Sequence, residues 1–86
     1  KNLVVGQLKI SNIDCNDVHS NLYIYENTEA EVYLIALPEL NWSLEIDTTL
    51  NEDDINDELV IHLFTLLDES TATKIATDIV KLILED

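Results

Sequence analysis

Arginine is missing from this chain altogether, and four lysines face eighteen carboxylates, for a formal net charge of −14. Without arginine there is no planar, bidentate clamp for phosphate or carboxylate groups. The surface as a whole repels nucleic acid and anionic membranes, whose binding rests on Lys and Arg contacts. Nucleotide, phosphate and carboxylate substrates are disfavoured for the same reason. Such a surface suits a cationic partner, a metal ion, or a protein site that ordinarily holds nucleic acid. An acidic protein with no special partner is the plainer expectation.

Methionine is also absent, and glycine, proline and cysteine occur once each. The missing methionine reads as a chain whose natural start lies upstream of Lys1. So little glycine and proline implies regular elements joined by short connections. Cys15 alone can form neither an internal disulfide nor a multi-thiolate zinc site. No apolar run approaches the roughly 18–20 residues that cross a bilayer. No cationic and apolar signal-peptide pattern opens the chain, so a soluble cytoplasmic protein is expected. Apolar residues make up 47% of the 86, enough for one small domain around one core.

The first half of the chain has the period of strands. Val4, Gly6, Leu8 and Ile10 alternate with Leu3, Val5, Gln7 and Lys9, which predicts a strand over Leu3–Ile10. Ser11–Asn21, SNIDCNDVHSN, is rich in turn-forming Asn, Asp and Ser and reads as a loop. NLYIYE is a second strand, NTE its turn, and AEVYLIAL a returning strand that stops at Pro38. NWSLEI is a fourth, with Trp42, Leu44 and Ile46 on one face.

From Ile55 onward the period becomes helical, with Leu59, Leu63, Leu66 and Leu67 in the apolar stripe and Val60 and Phe64 widening it. A second helix follows, with Ser70 as its expected N-cap. Ala72, Ile75, Ala76, Ile79, Val80 and Ile83 form its buried face; Thr73, Lys74, Thr77, Asp78 and Lys81 form its wet one. The fold class is therefore α+β, a four-stranded antiparallel sheet followed by two C-terminal helices packed on one face, in the order β-β-β-β-α-α. The expected core is Trp42, Leu44, Ile46, Leu59, Leu63, Leu66, Ile75, Ile79 and Ile83.

The stretch Asn51–Val60, NEDDINDELV, invites a cation site. Asp47–Glu58 even places Asp, Thr, Asn, Asp and Glu at the first, third, fifth, seventh and twelfth positions of an EF-hand loop. Yet Glu52 stands where the sharp turn needs glycine, Asp54 stands where an apolar anchor belongs, and a strand precedes the loop. A helix start explains the stretch without an ion. Asn51 caps it, and Glu52, Asp53 and Asp54 meet the positive end of the helix dipole.

Catalysis finds little support. Cys15 sits among Asp14 and Asp17, whose charge disfavours the thiolate, and no oxyanion hole or glycine-rich elbow accompanies it or His19. His62 lies at the edge of the helical stripe and reads as structural. With so many carboxylates, any pair of them carries little information. No catalytic residue, metal set or cofactor is expected.

The aromatic residues are more informative. If NTE is a three-residue turn, Leu22, Ile24, Val32, Leu34 and Ala36 face the core. Tyr23, Tyr25, Tyr33 and Ile35 then share the outer face beside Val5, a composition suited to a protein contact. A two- or four-residue turn flips that parity. Tyr23–Ile46, YIYENTEAEVYLIALPELNWSLEI, resembles the central segment of the YueH-like proteins through its YIYEN, ALPEL and NWS pieces. That family is a small group from Bacillus relatives with no assigned activity. The resemblance implies a small cytoplasmic protein and carries over no functional residues.

The functional expectation is a non-enzymatic protein-interaction module, bound to a protein partner or to itself as a homodimer, with no direct nucleic-acid or membrane contact. The alternative is an inhibitor that mimics nucleic acid and occupies a DNA- or RNA-binding protein.

Overall fold

The computed structural model describes residues 6–85, so Val5 and the expected strand start at Leu3 lie outside the described residues. Four strands, β1 (Gly6–Cys15), β2 (Val18–Asn27), β3 (Val32–Leu37) and β4 (Trp42–Asp47), form one antiparallel meander in the order β1-β2-β3-β4. Two helices, α1 (Glu52–Leu63) and α2 (Glu69–Leu84), follow and cover one face. This is the expected architecture.

The segment Ser11–Asn21 is not a loop. It is the tip of a long β1–β2 hairpin that turns on Asn16 and Asp17 alone, with Cys15 opposite Val18. Asn16 takes φ 56, the left-handed conformation that asparagine tolerates and tight hairpins require. Ile13, Val18 and Leu22 hide their side chains inward while Asn12, Asp14, His19 and Asn21 stay wet.

The β2–β3 connection is four residues long, Thr28–Glu31, one more than expected. Asn27 Oδ1 accepts from Ala30 N at 3.0 Å, and Glu31 adopts φ 59. Because side chains alternate with period two, one extra residue turns the whole of β3 over. Ile35, expected outside, is therefore fully buried opposite Ile24, and Tyr33 faces the core beside Ile46. Val32, Leu34 and Ala36, expected inside, lie on the outer face.

Helix α1 starts as its sequence predicts. Asn51 Oδ1 accepts from Asp54 N at 2.8 Å, and Glu52, Asp53 and Asp54 fill the first turn. Its buried stripe is Ile55, Leu59 and Leu63. The helix ends at Leu63, so Leu66 falls in the connection and is 51% exposed rather than core. Phe64 also projects outward, and Leu67 packs inward instead. Asp68, not Ser70, caps α2, accepting from Thr71 N at 2.9 Å. The six residues expected on the buried face of α2 are all buried, joined by Thr71.

The core joins both helices to Leu22, Ile24, Ile35, Leu37 and Ile46, with Trp42 and Leu44 only partly buried at its rim. Helix α2 packs along β1 and helix α1 lies against β4. Two polar contacts pin α2 along β1. At one end Asn16 Nδ2 donates to Thr71 Oγ1 at 2.8 Å. At the other, the Lys9 ammonium donates to the carbonyls of Leu82 at 2.5 Å and of Glu85. A cation there also meets the negative end of the helix dipole. Among the described residues, no helix is long and apolar enough to cross a membrane.

Candidate functional site

Among the described residues no element covers the sheet face away from the helices, and the register fixes which side chains meet there. Ile10, Tyr23 and Ala36 stand in one row across β1, β2 and β3; Leu8, Tyr25 and Leu34 stand in the next. Neighbouring strands are about 4.8 Å apart and the two rows about 7 Å apart, so the six side chains form one continuous field. Leu8, Ile10 and Leu34 are 56%, 65% and 38% exposed, and both tyrosines are half-buried. The field is uncharged.

Its borders are polar except at Val32, which extends the apolar surface one row past Leu34, between Asn27 and Asp47. Ser43 and Glu45 continue the two rows onto β4. Asn12 and Asn21 bound it toward the hairpin tip, followed by Asp14 and His19, whose Oδ1 and Nδ1 are 2.8 Å apart. Of the residues expected here, Tyr23 and Tyr25 take their places. Tyr33 and Ile35 do not, for the parity reason above, and Val5 lies outside the described residues. Leu8 and Ile10, which the strand alternation had placed with Val4 and Gly6, complete the field, with Leu34 and Ala36. Tyr33 is instead at the seam between sheet and α2, where burial first and the Glu26 charge second raise its hydroxyl pKa.

The groups with chemical potential are dispersed. Cys15 and His19 project to opposite faces of the hairpin, since Cys15 pairs with Val18 and Asp14 with His19. His62 is across the molecule on α1, its Nε2 3.6 Å from Glu58 Oε1. A shallow polar depression at the sheet end is lined by Asp14, His19, Asn21 and Glu39. Glu39 is employed there as a strand terminator. β3 stops at Pro38, and the Glu39 carboxylate accepts from Asn21 N at 2.9 Å, as the next strand carbonyl would. It also accepts from Ser20 Oγ at 2.9 Å. The Asn21 bond chiefly, and the Ser20 bond after it, hold its pKa below the usual carboxylate range.

The segment that matches an EF-hand loop is divided between elements. Asp47 ends β4 and accepts from Thr49 N and Thr49 Oγ1, both at 2.8 Å, which lowers its pKa. Everything from Glu52 onward is helix. Among the described residues, no three His, Cys, Asp or Glu side chains are grouped to hold a metal ion.

No curated protein and no solved structure matches the chain. A family model does, described as YueH-like protein, and it matches residues 9–85, reaching from β1 through α2 and far beyond the segment that first suggested it. The chain belongs to the YueH-like protein family.

Proposed function

We propose that this protein is a non-enzymatic cytoplasmic interaction module that binds another protein chain through the outer face of its sheet. The observation that carries the reading is the uncharged field of Leu8, Ile10, Tyr23, Tyr25, Leu34 and Ala36 on a chain of net charge −14. The largest exposed apolar patch on a small protein, especially one rimmed by polar residues, is often a contact surface. Tyrosine adds large contact area at little cost in side-chain entropy. A photo-reactive phenylalanine in place of Tyr25 tests it in cells. The expected result is a discrete protein adduct from that position and none from the same probe at Thr77, on the wet side of α2. No adduct from Tyr25, or equal labelling from both, sinks the reading.

The second reading, nucleic-acid mimicry, rests on α1. Asp53 with Asp57, and Asp54 with Glu58, make two exposed rows at i,i+4 spacing, about 6 Å between neighbours. A probe at Asp57 that labels a DNA-binding protein, with labelling abolished by duplex DNA, would put this reading first.

A further inference from the structure

We infer that the free edge of β1 takes an extended segment of another protein as a fifth strand. The segment is apolar beside Leu8 and Ile10 and carries a lysine or arginine beside Asp14. This goes beyond the contact reading above, because an edge binds through backbone whereas a face binds through side chains.

Three contacts at the rim of the sheet fix where the backbone groups point. Along a strand, alternate residues aim their N–H and C=O to opposite sides. Asn21 N donates toward the β3 side, to Glu39. Odd-numbered residues of β2 therefore bond to β3 and even-numbered ones to β1. Cys15 opposite Val18 across a two-residue turn agrees, since the pair that closes such a hairpin is hydrogen-bonded. So does Thr48 N, 3.0 Å from the carbonyl of Glu31. On β1, then, Gln7, Lys9, Ser11 and Ile13 bond to β2, and Leu8, Ile10, Asn12 and Asp14 aim N–H and C=O outward. Among the described residues nothing pairs with that side of β1. A long edge with apolar side chains is a ready template for another strand.

The opposite edge is guarded. β4 is six residues long and turns Ser43, Glu45 and Asp47 outward, two of them carboxylates. The Asp47 carbonyl already accepts from Leu50 N at 3.3 Å. Lys9 would be the guard of β1, but its ammonium is turned onto the carbonyls that end α2.

Two observations select the occupant. α2 is tied over β1 at both ends, by Lys9 at Leu82 and by Asn16 at Thr71. A second copy pairing its β1 with this one would seat two α2 helices over strands about 4.8 Å apart, where packed helices need about 8–10 Å. A lone strand brings no helix and fits. Both ends of the edge are acidic, with Asp14 and Asp17 at the hairpin tip and Glu85 at the Lys9 end, which favours a cationic segment.

The probe is the peptide acetyl-Lys-Thr-Val-Thr-Ile-Thr-Val-amide, whose lysine meets Asp14 and whose isoleucine meets Ile10 in an antiparallel ladder. Anisotropy of the labelled peptide, titrated with protein to about 1 mM, reads binding, and amide exchange by NMR reads the edge. Without peptide, the amides of Lys9, Ser11 and Ile13 should exchange slowly and those of Leu8, Ile10 and Asn12 fast. With peptide, the fast set should slow. N-methylation of the peptide's isoleucine, whose N–H meets β1, should weaken binding at least about tenfold. N-methylation of the threonine before it, whose N–H points away, should change binding less than about threefold. Glutamate in place of the peptide's lysine should weaken binding at low salt. An outward set already slow in the free protein, no binding, equal loss from the two N-methyl groups, or indifference to the lysine overturns the inference. A failed peptide beside a Tyr25 adduct leaves the contact reading standing, and a bound peptide without that adduct leaves the edge standing alone.

Discussion

The half of the molecule built from β1 and α2 and the half built from β4 and α1 are held by the same force and differ in how densely they carry charge. α2 buries seven side chains and α1 buries three, and both lock onto the same core of Leu22, Ile24, Ile35 and Leu37. On the outside, seven carboxylates sit on α1 and β4, while the charges of β1 and α2 cancel. The flanking Asp17, Asp68 and Glu85 leave the β1–α2 half negative as well, so the charge is denser on one half and not confined to it. An argument from −14 about what the chain repels applies most strongly to the α1–β4 half.

If burial holds both halves, large-to-small changes at the shared core should dominate every other substitution. Ile35→Ala should cost about 2–5 kcal/mol by urea unfolding, while Leu34→Ala, its neighbour on the outer face, should cost under about 1 kcal/mol. Equal costs would mean the faces of β3 are misassigned. The polar devices come next. Lys9→Met on the β1–α2 half and Asn51→Ala on the more acidic α1–β4 half should each cost about 1 kcal/mol, one by uncapping the end of α2 and the other by uncapping the start of α1. Loss from only one of them would show that the halves depend on their helix ends unequally.

Acid should reveal a smaller effect at the strand end. The folded pKa of Glu39 is lowered by its bonds to Asn21 and Ser20. Its contribution is thus present above the unfolded carboxylate value, about 4.3, and is lost as pH falls through the lowered folded value. Glu39→Gln should melt below the parent near neutral pH, with the gap closing in acid. A gap that persists unchanged would mean the carboxylate charge plays no part. Smallest of all, Asp53→Asn should cost at most about 1 kcal/mol, and millimolar calcium should leave the melting temperature of the parent unmoved. A calcium-induced rise of about 10 °C, worth one or two kcal/mol in a domain of this size, would restore the ion site and break the account of α1 as a capped helix.

The acidic half was the more legible in the chain. Asn51 and the three acids after it announce a helix start, and Ile55, Leu59 and Leu63 state its stripe. The same reading ran one turn too far at Leu66, because a leucine-rich run keeps its period after the helix has stopped. The sheet was harder. In Ser11–Asn21 turn-forming residues outvoted an alternation that was present all along, Ile13 and Cys15 against Asn12 and Asp14, with Asn16-Asp17 as the two-residue turn. The outer field depended on counting the β2–β3 connection. Its last residue, Glu31, holds a left-handed conformation that only glycine or asparagine would have advertised. One residue of uncertainty there decides whether Ile35 or Leu34 meets solvent. Nothing in the local pattern resolves it.

The contact between Lys9 and the end of α2 has a kinetic consequence. The three strand pairings join consecutive segments and can zip up locally, as can the α1–α2 pair. Lys9 reaches carbonyls 73 to 76 positions away, so almost the entire chain must be in place before that bond exists. Contacts of such separation carry the largest loop-closure cost and belong to the end of folding. An interaction absent from the transition state acts on the return journey alone. Lys9→Met should accordingly leave the refolding rate almost unchanged and hasten unfolding, which makes this lysine a latch on the lifetime of the native state.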